Sequence, residues 1–192
     1  ELDVFVLRTK VISRIFRTYL PFLKSLNCKY DIVILETNKT HFTEVKIMGF
    51  MKTRWTDKVD RNNPLPEYPR PQFKRENWTN LNGAWQFDFD FGMTGKEKKL
   101  YEAESLSKEI IVPFCPESDL SGIGYKDFIP ACWYKKEINV SIKENTRYIL
   151  HFGACDFETE VWVNGESVGT HIGGYISFSF DITDKIIKYE YK

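Results

Sequence analysis

AWQFDFDF, residues 84–91, sets rings against amide and carboxylate side chains at every second position. Trp85, Phe87, Phe89 and Phe91 fall on one side of an extended chain, and Gln86, Asp88 and Asp90 fall on the other. Successive side chains of a strand point to opposite faces, so this period of two predicts a half-buried strand with one wet face.

The same rhythm recurs along the chain. KEIIVPF (108–114) reads as a strand closed by Pro113 and Pro116. CWYKKEINV (132–140) alternates Cys132, Tyr134, Ile138 and Val140 with Trp133, Lys135, Glu137 and Asn139. RYILHF (147–152), ETEVWV (158–163) and YISFSF (175–180) follow. Between VWV and ESVG sits Asn164-Gly165, the pair that best tolerates the two positive φ angles of a type I′ turn, so a hairpin is expected there. Gly173-Gly174 supplies a further bend. Short strands joined by Gly and Pro turns, almost free of helix, predict an all-β fold, a β-sandwich.

Composition narrows the function classes. The 192 residues carry 27 basic and 27 acidic side chains, and this balance offers nothing to nucleic acid. Aromatics reach 16%, a bias that favours strands and assigns most rings to a core. Cys28, Cys115, Cys132 and Cys155 show no CxxC spacing, which argues against zinc and for reduced thiols in a cytoplasmic setting. No apolar run is long enough for a transmembrane helix, and Arg14, Arg17 and Lys24 interrupt any signal-peptide core, so no membrane partner is expected.

Three segments follow from these patterns. Residues 1–50 have a net charge of +3 from eight basic and five acidic residues, and no sustained period. Their best element, RTKVISRIFRTYLPFLKSL, is weakly helical until Pro21. The chain opens on Glu1, and Met51 begins a stretch that reads like a protein start, so residues 1–50 are expected to be an extension outside the fold. Residues 51–73, with Pro64, Pro66, Pro69 and Pro71, are expected to form an extended surface arm. Residues 74–192 carry the sandwich.

Several motifs in this last segment occur in one order. They are Trp78-x-x-Leu81-Asn82-Gly83-x-Trp85, Val112-Pro113, Trp133-Tyr134, and the Asn164-Gly165 hairpin followed by Gly173-Gly174-Tyr175. Together they resemble the N-terminal sugar-binding domain of glycoside hydrolase family 2, the β-galactosidase and β-glucuronidase family. The resemblance covers residues 66–184 and implies a jelly-roll-like, galactose-binding-like sandwich. In the family an immunoglobulin-like domain and a (β/α)₈ barrel follow it, and the barrel carries two catalytic glutamates acting with retention. Such chemistry needs two carboxylates about 5 Å apart.

The resemblance also implies that the sandwich continues after FDIT with a returning strand. DKIIKYEYK leaves no room for it, so a truncated sandwich with a lost strand pairing and poor solubility is expected. The parent would hydrolyse a terminal β-glycosidic bond, with carbohydrate and the parent's other domains as partners. Two alternatives stay open: a stand-alone carbohydrate-binding module, and a structural or interaction sandwich.

The residues themselves offer no catalytic group, cofactor-binding residue or metal ligand set. Glu158 and Glu160 share a strand face, as solvating acids do, while Asp156 precedes them. Asp181 and Thr183 read as a strand exit and cap. His151 and His171 lack a neighbouring nucleophile, and GIGYKDF (122–128) lacks the strand-to-helix setting of a nucleotide site. Tyr125, Trp133, Trp162 and Tyr175 are rings on which a sugar face would stack, with no one of them preferred.

Overall fold

The computed structural model describes residues 2–9 and 53–190. The chain divides into two compact units, residues 12–59 and residues 1–11 with 60–192. Of the first, residues 53–59 are described. They form a 3₁₀ turn over Thr56–Lys58, with the Arg54 guanidinium 5.0 Å and the Lys58 ammonium 5.1 Å from the Trp55 ring centre. The weak helix expected from Arg8 up to Pro21 gives way to strand at Arg8 and Thr9, and its remainder lies outside the described residues.

The described residues of the second unit form eight strands: β1 (Leu2–Thr9), β2 (Gly83–Phe89), β3 (Lys108–Val112), β4 (Ala131–Ile138), β5 (Ile149–Phe152), β6 (Glu158–Val163), β7 (Glu166–Ile172) and β8 (Phe178–Asp181). One helix, α1 (Thr183–Glu190), follows them. Six strands make an antiparallel sheet in the order β3-β2-β4-β1-β6-β7, and β5 pairs with β8 in a second sheet. The fold is therefore the expected all-β sandwich.

The main core lies between the sheets. Val4 and Val6 of β1, Trp85 and Phe87 of β2, Ile110 of β3, Cys132 of β4, and Val161 and Val163 of β6 meet Leu150 of β5 and Ile182 and Ile186 beside and within α1. These are the rows that the period of two predicts for β2, β4 and β6. Phe91 lies past the end of β2 and is exposed, yet it still stacks on Phe89 at 5.1 Å.

Two expectations need correction. The first concerns residues 2–9 of the expected 1–50 extension, whose residues 10–50 lie outside the described residues. Sequence reasoning sets them outside the fold, whereas Leu2–Thr9 forms a central strand, antiparallel to β4 from Leu2↔Ile138 to Thr9↔Ala131 and to β6 from Val4↔Val163 to Thr9↔Glu158. Leu2, Val4, Phe5, Val6 and Leu7 are all buried. A strand buried on both faces has no polar row, so it leaves no alternation to read. Because β1 joins β4 to β6, the large sheet is continuous.

The second concerns the wet face of β2. Gln86 Oε1 accepts a hydrogen bond from Leu106 N at 2.8 Å, and Asp88 accepts from Ser107 N at 2.9 Å and from the Ser107 hydroxyl. Asp90 accepts from Thr94 N, Gly95 N and Trp133 Nε1 at 3.0, 2.8 and 3.1 Å. The polar row thus anchors the 90–107 connection, which closes over a second core of Phe5, Leu7, Ala131, Trp133 and Trp162 beneath Leu100, Tyr101 and Leu106. Alternation marks the polar row but does not say whether water or a loop satisfies it.

Candidate functional site

Of the rings offered as sugar platforms, two are inside the protein. Trp133 and Trp162 are buried, and Trp162 lies between Trp133 (5.2 Å, tilted) and Tyr101 (5.3 Å, parallel within 3°). Neither presents a face to a ligand. Tyr125 is partly buried against Phe89 and Phe91. Tyr175 is 99% exposed on the bend after Gly173-Gly174, beside exposed Ile172 and Ile176. The structure therefore leaves one of the four rings fully open.

The carboxylates of β6 border a shallow depression of about 180 Å³ on the covered face of the sheet, lined by Leu7, Asp90, Met93, Lys96, Glu158 and Glu160. Glu160 is engaged on both oxygens: Lys96 Nζ lies 2.6 Å from Oε2, and Ser167 Oγ donates to Oε1 at 3.3 Å. Asp90 is held by its three N–H donors. A proton shuttle needs a carboxylate with access to a reacting atom, and these two are committed to fixing loops and strands. Asp156 sits elsewhere, with a carboxylate oxygen where a Cβ on Gly174 would fall.

His151 and His171 have different partners. His151 Nδ1 lies 2.6 Å from Ser179 Oγ, and its ring stacks on Trp78 at 5.5 Å, which Tyr68 meets edge-on at 5.0 Å. His171 stacks on Phe178 at 4.1 Å. Both rings are engaged in packing contacts. Among the described residues, no cluster of three or more His, Cys, Asp or Glu is gathered to hold a metal. GIGYKDF follows a 3₁₀ turn over Asp119–Ser121, and Tyr125 N donates to Pro116 O at 2.9 Å, a loop arrangement with no strand-to-helix turn.

Asp181 and Thr183 form the expected strand exit. Thr183 donates to Asp181 Oδ1 through Oγ1 at 2.6 Å and through N at 3.1 Å, while Arg147 donates to Oδ2 from Nε at 3.0 Å and Nη2 at 2.7 Å. The Thr183 hydroxyl bond first, then the Arg147 bonds, holds the Asp181 pKa down at about 2. Burial pulls Lys136 below the ordinary lysine value, and the Glu109 charge partly offsets that.

Asn164-Gly165 ties the strands together. Both residues have positive φ, 50° and 77°, as the type I′ reading requires. Asn164 Oδ1 also accepts from Asp3 N at 3.0 Å, and Asn164 N donates to Asp3 O at 2.9 Å. The hairpin thus clasps the start of β1.

This order of motifs on this sandwich has a counterpart among known families. Residues 78–191 match the model described as glycosyl hydrolases family 2, sugar binding domain. The chain belongs to that family. A putative β-glucuronidase of Formosa agariphila is 51% identical over 55 residues, which make up 28% of this chain and 7% of that protein. The β-glucuronidase of Canis lupus familiaris is 30% identical over 127 residues, 60% of this chain and 19% of that one. A β-galactosidase of Thermoanaerobacter pseudethanolicus is 33% identical over 110 residues, 55% and 13% respectively. The chain spans about a fifth or less of the length of these relatives.

Two residues that organise this family 2 sandwich carry no motif. Lys135 is 2% exposed, with its ammonium 2.6 Å from Glu104 O, 3.2 Å from Asp3 Oδ1 and 3.3 Å from Glu137 Oε1. Asp90 plays the same part at the other end of the covered face. Both stand in rows that sequence reads as solvated, and the one available signal was Trp133, whose buried ring N–H needs an acceptor.

Proposed function

We propose that this sandwich is a non-catalytic domain of a glycosidase of β-glucuronidase or β-galactosidase type, and that it braces a catalytic barrel belonging to the same parent chain. The observation that carries this reading is the family match across residues 78–191, on a fold whose best-placed carboxylates are spent on structure. The parent hydrolyses a terminal β-glycosidic bond, with an immunoglobulin-like domain and the barrel as intramolecular partners. A cytoplasmic setting belongs to the same proposal, supported by the spacing of the cysteines, and cell fractionation tests it.

Incubating the purified chain with nitrophenyl β-glucuronide and β-galactoside is the direct test. No nitrophenol release above buffer is expected, and turnover that survives further purification would overturn the reading. A stand-alone carbohydrate-binding module is the second reading, favoured by the open ring of Tyr175. Calorimetric titration with galactose, glucuronate and mannose separates the two. Binding that Tyr175→Ala abolishes selects the module; no heat with any sugar selects the brace.

A further inference from the structure

Residues 60–82, which belong to the same compact unit as the sandwich, fold back on themselves. Asn80 Nδ2 donates to Leu65 O at 3.2 Å and Asn82 Nδ2 to Pro64 O at 3.3 Å, so the two legs are tied side by side. The foot is seated in the body: Pro64 is fully buried, and Asn62 O stands 3.4 Å from where a Cβ on Gly83 would fall. Nearer the tip, a ring stack joins this arm to the small sheet. Trp78 lies over His151 of β5 with centres 5.5 Å and planes 28° apart, and Tyr68 meets Trp78 edge-on at 5.0 Å.

That stack is built to gain strength from a proton. Histidine is the side chain that ordinarily acquires charge between pH 8 and pH 5, and a cation over an indole is attracted to its face. His151 is exposed, so water solvates the charge. Its Nδ1 faces Ser179 Oγ of β8 at 2.6 Å, and a hydroxyl accepts as readily as it donates, so this bond survives protonation. The charges in the same row, Arg147 ahead of β5 and Asp181 of β8, are paired to each other at 2.7 Å. With its pKa held at about 2, Asp181 keeps its charge throughout this pH range. From the arm, Trp78 meets the imidazole and the Tyr68 phenol borders Trp78, while Glu67, Arg70, Lys74, Arg75 and Glu76 are exposed.

We propose that His151 and Trp78 form an acid-strengthened latch, which holds the 60–82 arm against the β5–β8 sheet more firmly when His151 carries its second proton. Limited trypsin digestion of the full chain at pH 5.5 and at pH 8 tests it, since cutting after Lys74 or Arg75 requires the arm to leave its seat. Mass spectrometry identifies this cut. Its rate is divided by that of a free peptide of residues 66–82 at the same pH, which removes the pH dependence of the protease.

The wild-type ratio is expected to fall about two- to fivefold from pH 8 to pH 5.5. Both His151→Gln and Trp78→Leu, each checked for a cooperative melt and compared with a matching peptide, should leave it level. His171, packed on Phe178, is the same in every variant and serves as the internal control. His151→Gln alters an exposed side chain and decides the matter if Trp78→Leu does not fold. A wild-type ratio that is level or rises in acid overturns the proposal, as does an acid fall that a folded variant retains.

Discussion

Gly95 lies where two side chains converge. A Cβ there would stand 2.3 Å from Trp133 Nε1 and 2.6 Å from Asp90 Oδ2, both held inside the protein. Gly95→Ala is expected to cost about 1–3 kcal/mol, read as a drop in denaturation midpoint with unchanged slope. Asp90→Ala strands the N–H of Gly95 and the ring N–H of Trp133, each an unmet donor worth about 1–3 kcal/mol. That loss should therefore exceed the loss from Gly95→Ala in the same urea titration. The Asp181 carboxyl has a folded pKa of about 2, below its ordinary 3.8, so its stabilising effect is whole above about pH 4 and fades as pH falls towards 2. Asp181→Asn should flatten the melting temperature against pH across that window. An NMR titration placing the Asp181 midpoint near 4 would refute the assignment.

Among the elements, β1 concentrates the most burial in the fewest residues. Five apolar side chains, each worth about 1.5–3 kcal/mol when fully buried, sum to an upper bound on the order of 10 kcal/mol. That is comparable with the whole stability of a typical domain. Val6→Asp is expected to abolish the cooperative transition in circular dichroism, and Val6→Ala to lower its midpoint while preserving it. Retention of a wild-type melt by Val6→Asp would show that β1 is dispensable. The contrast with β2 and β4 explains what sequence could reveal. Trp85-Phe87 and Cys132-Tyr134 belong to rows with polar partners, and a row with contrast is visible. LDVFVLRT is apolar towards both cores, and its partners lie more than a hundred residues away, so nothing local marks it. The turn was legible for the opposite reason: its φ angles depend on Asn164 and Gly165 alone.

For the molecule as a whole, family and architecture were readable because turns and ring rows recur in a fixed order. The burial of Trp133 and Trp162 was not, because it depends on the 90–107 connection folding back over a face that looks polar. Removing that connection from the fold's account would leave two indoles on the surface as apparent sugar platforms. With it in place, the open rings include Tyr175 and two indoles, Trp55 at 58% and Trp78 at 37% exposure. In a Trp55→Phe background, a sugar that perturbs tryptophan emission should therefore act through Trp78, and Trp78→Phe should remove most of the signal while leaving the thermal transition in place.

The stack of Tyr101, Trp162 and Trp133 gives the molecule an internal reporter. Rings held this close exchange excitation and generate a near-ultraviolet dichroic band that isolated chromophores lack. Its intensity would follow the seating of a single loop, whatever the rest of the backbone does.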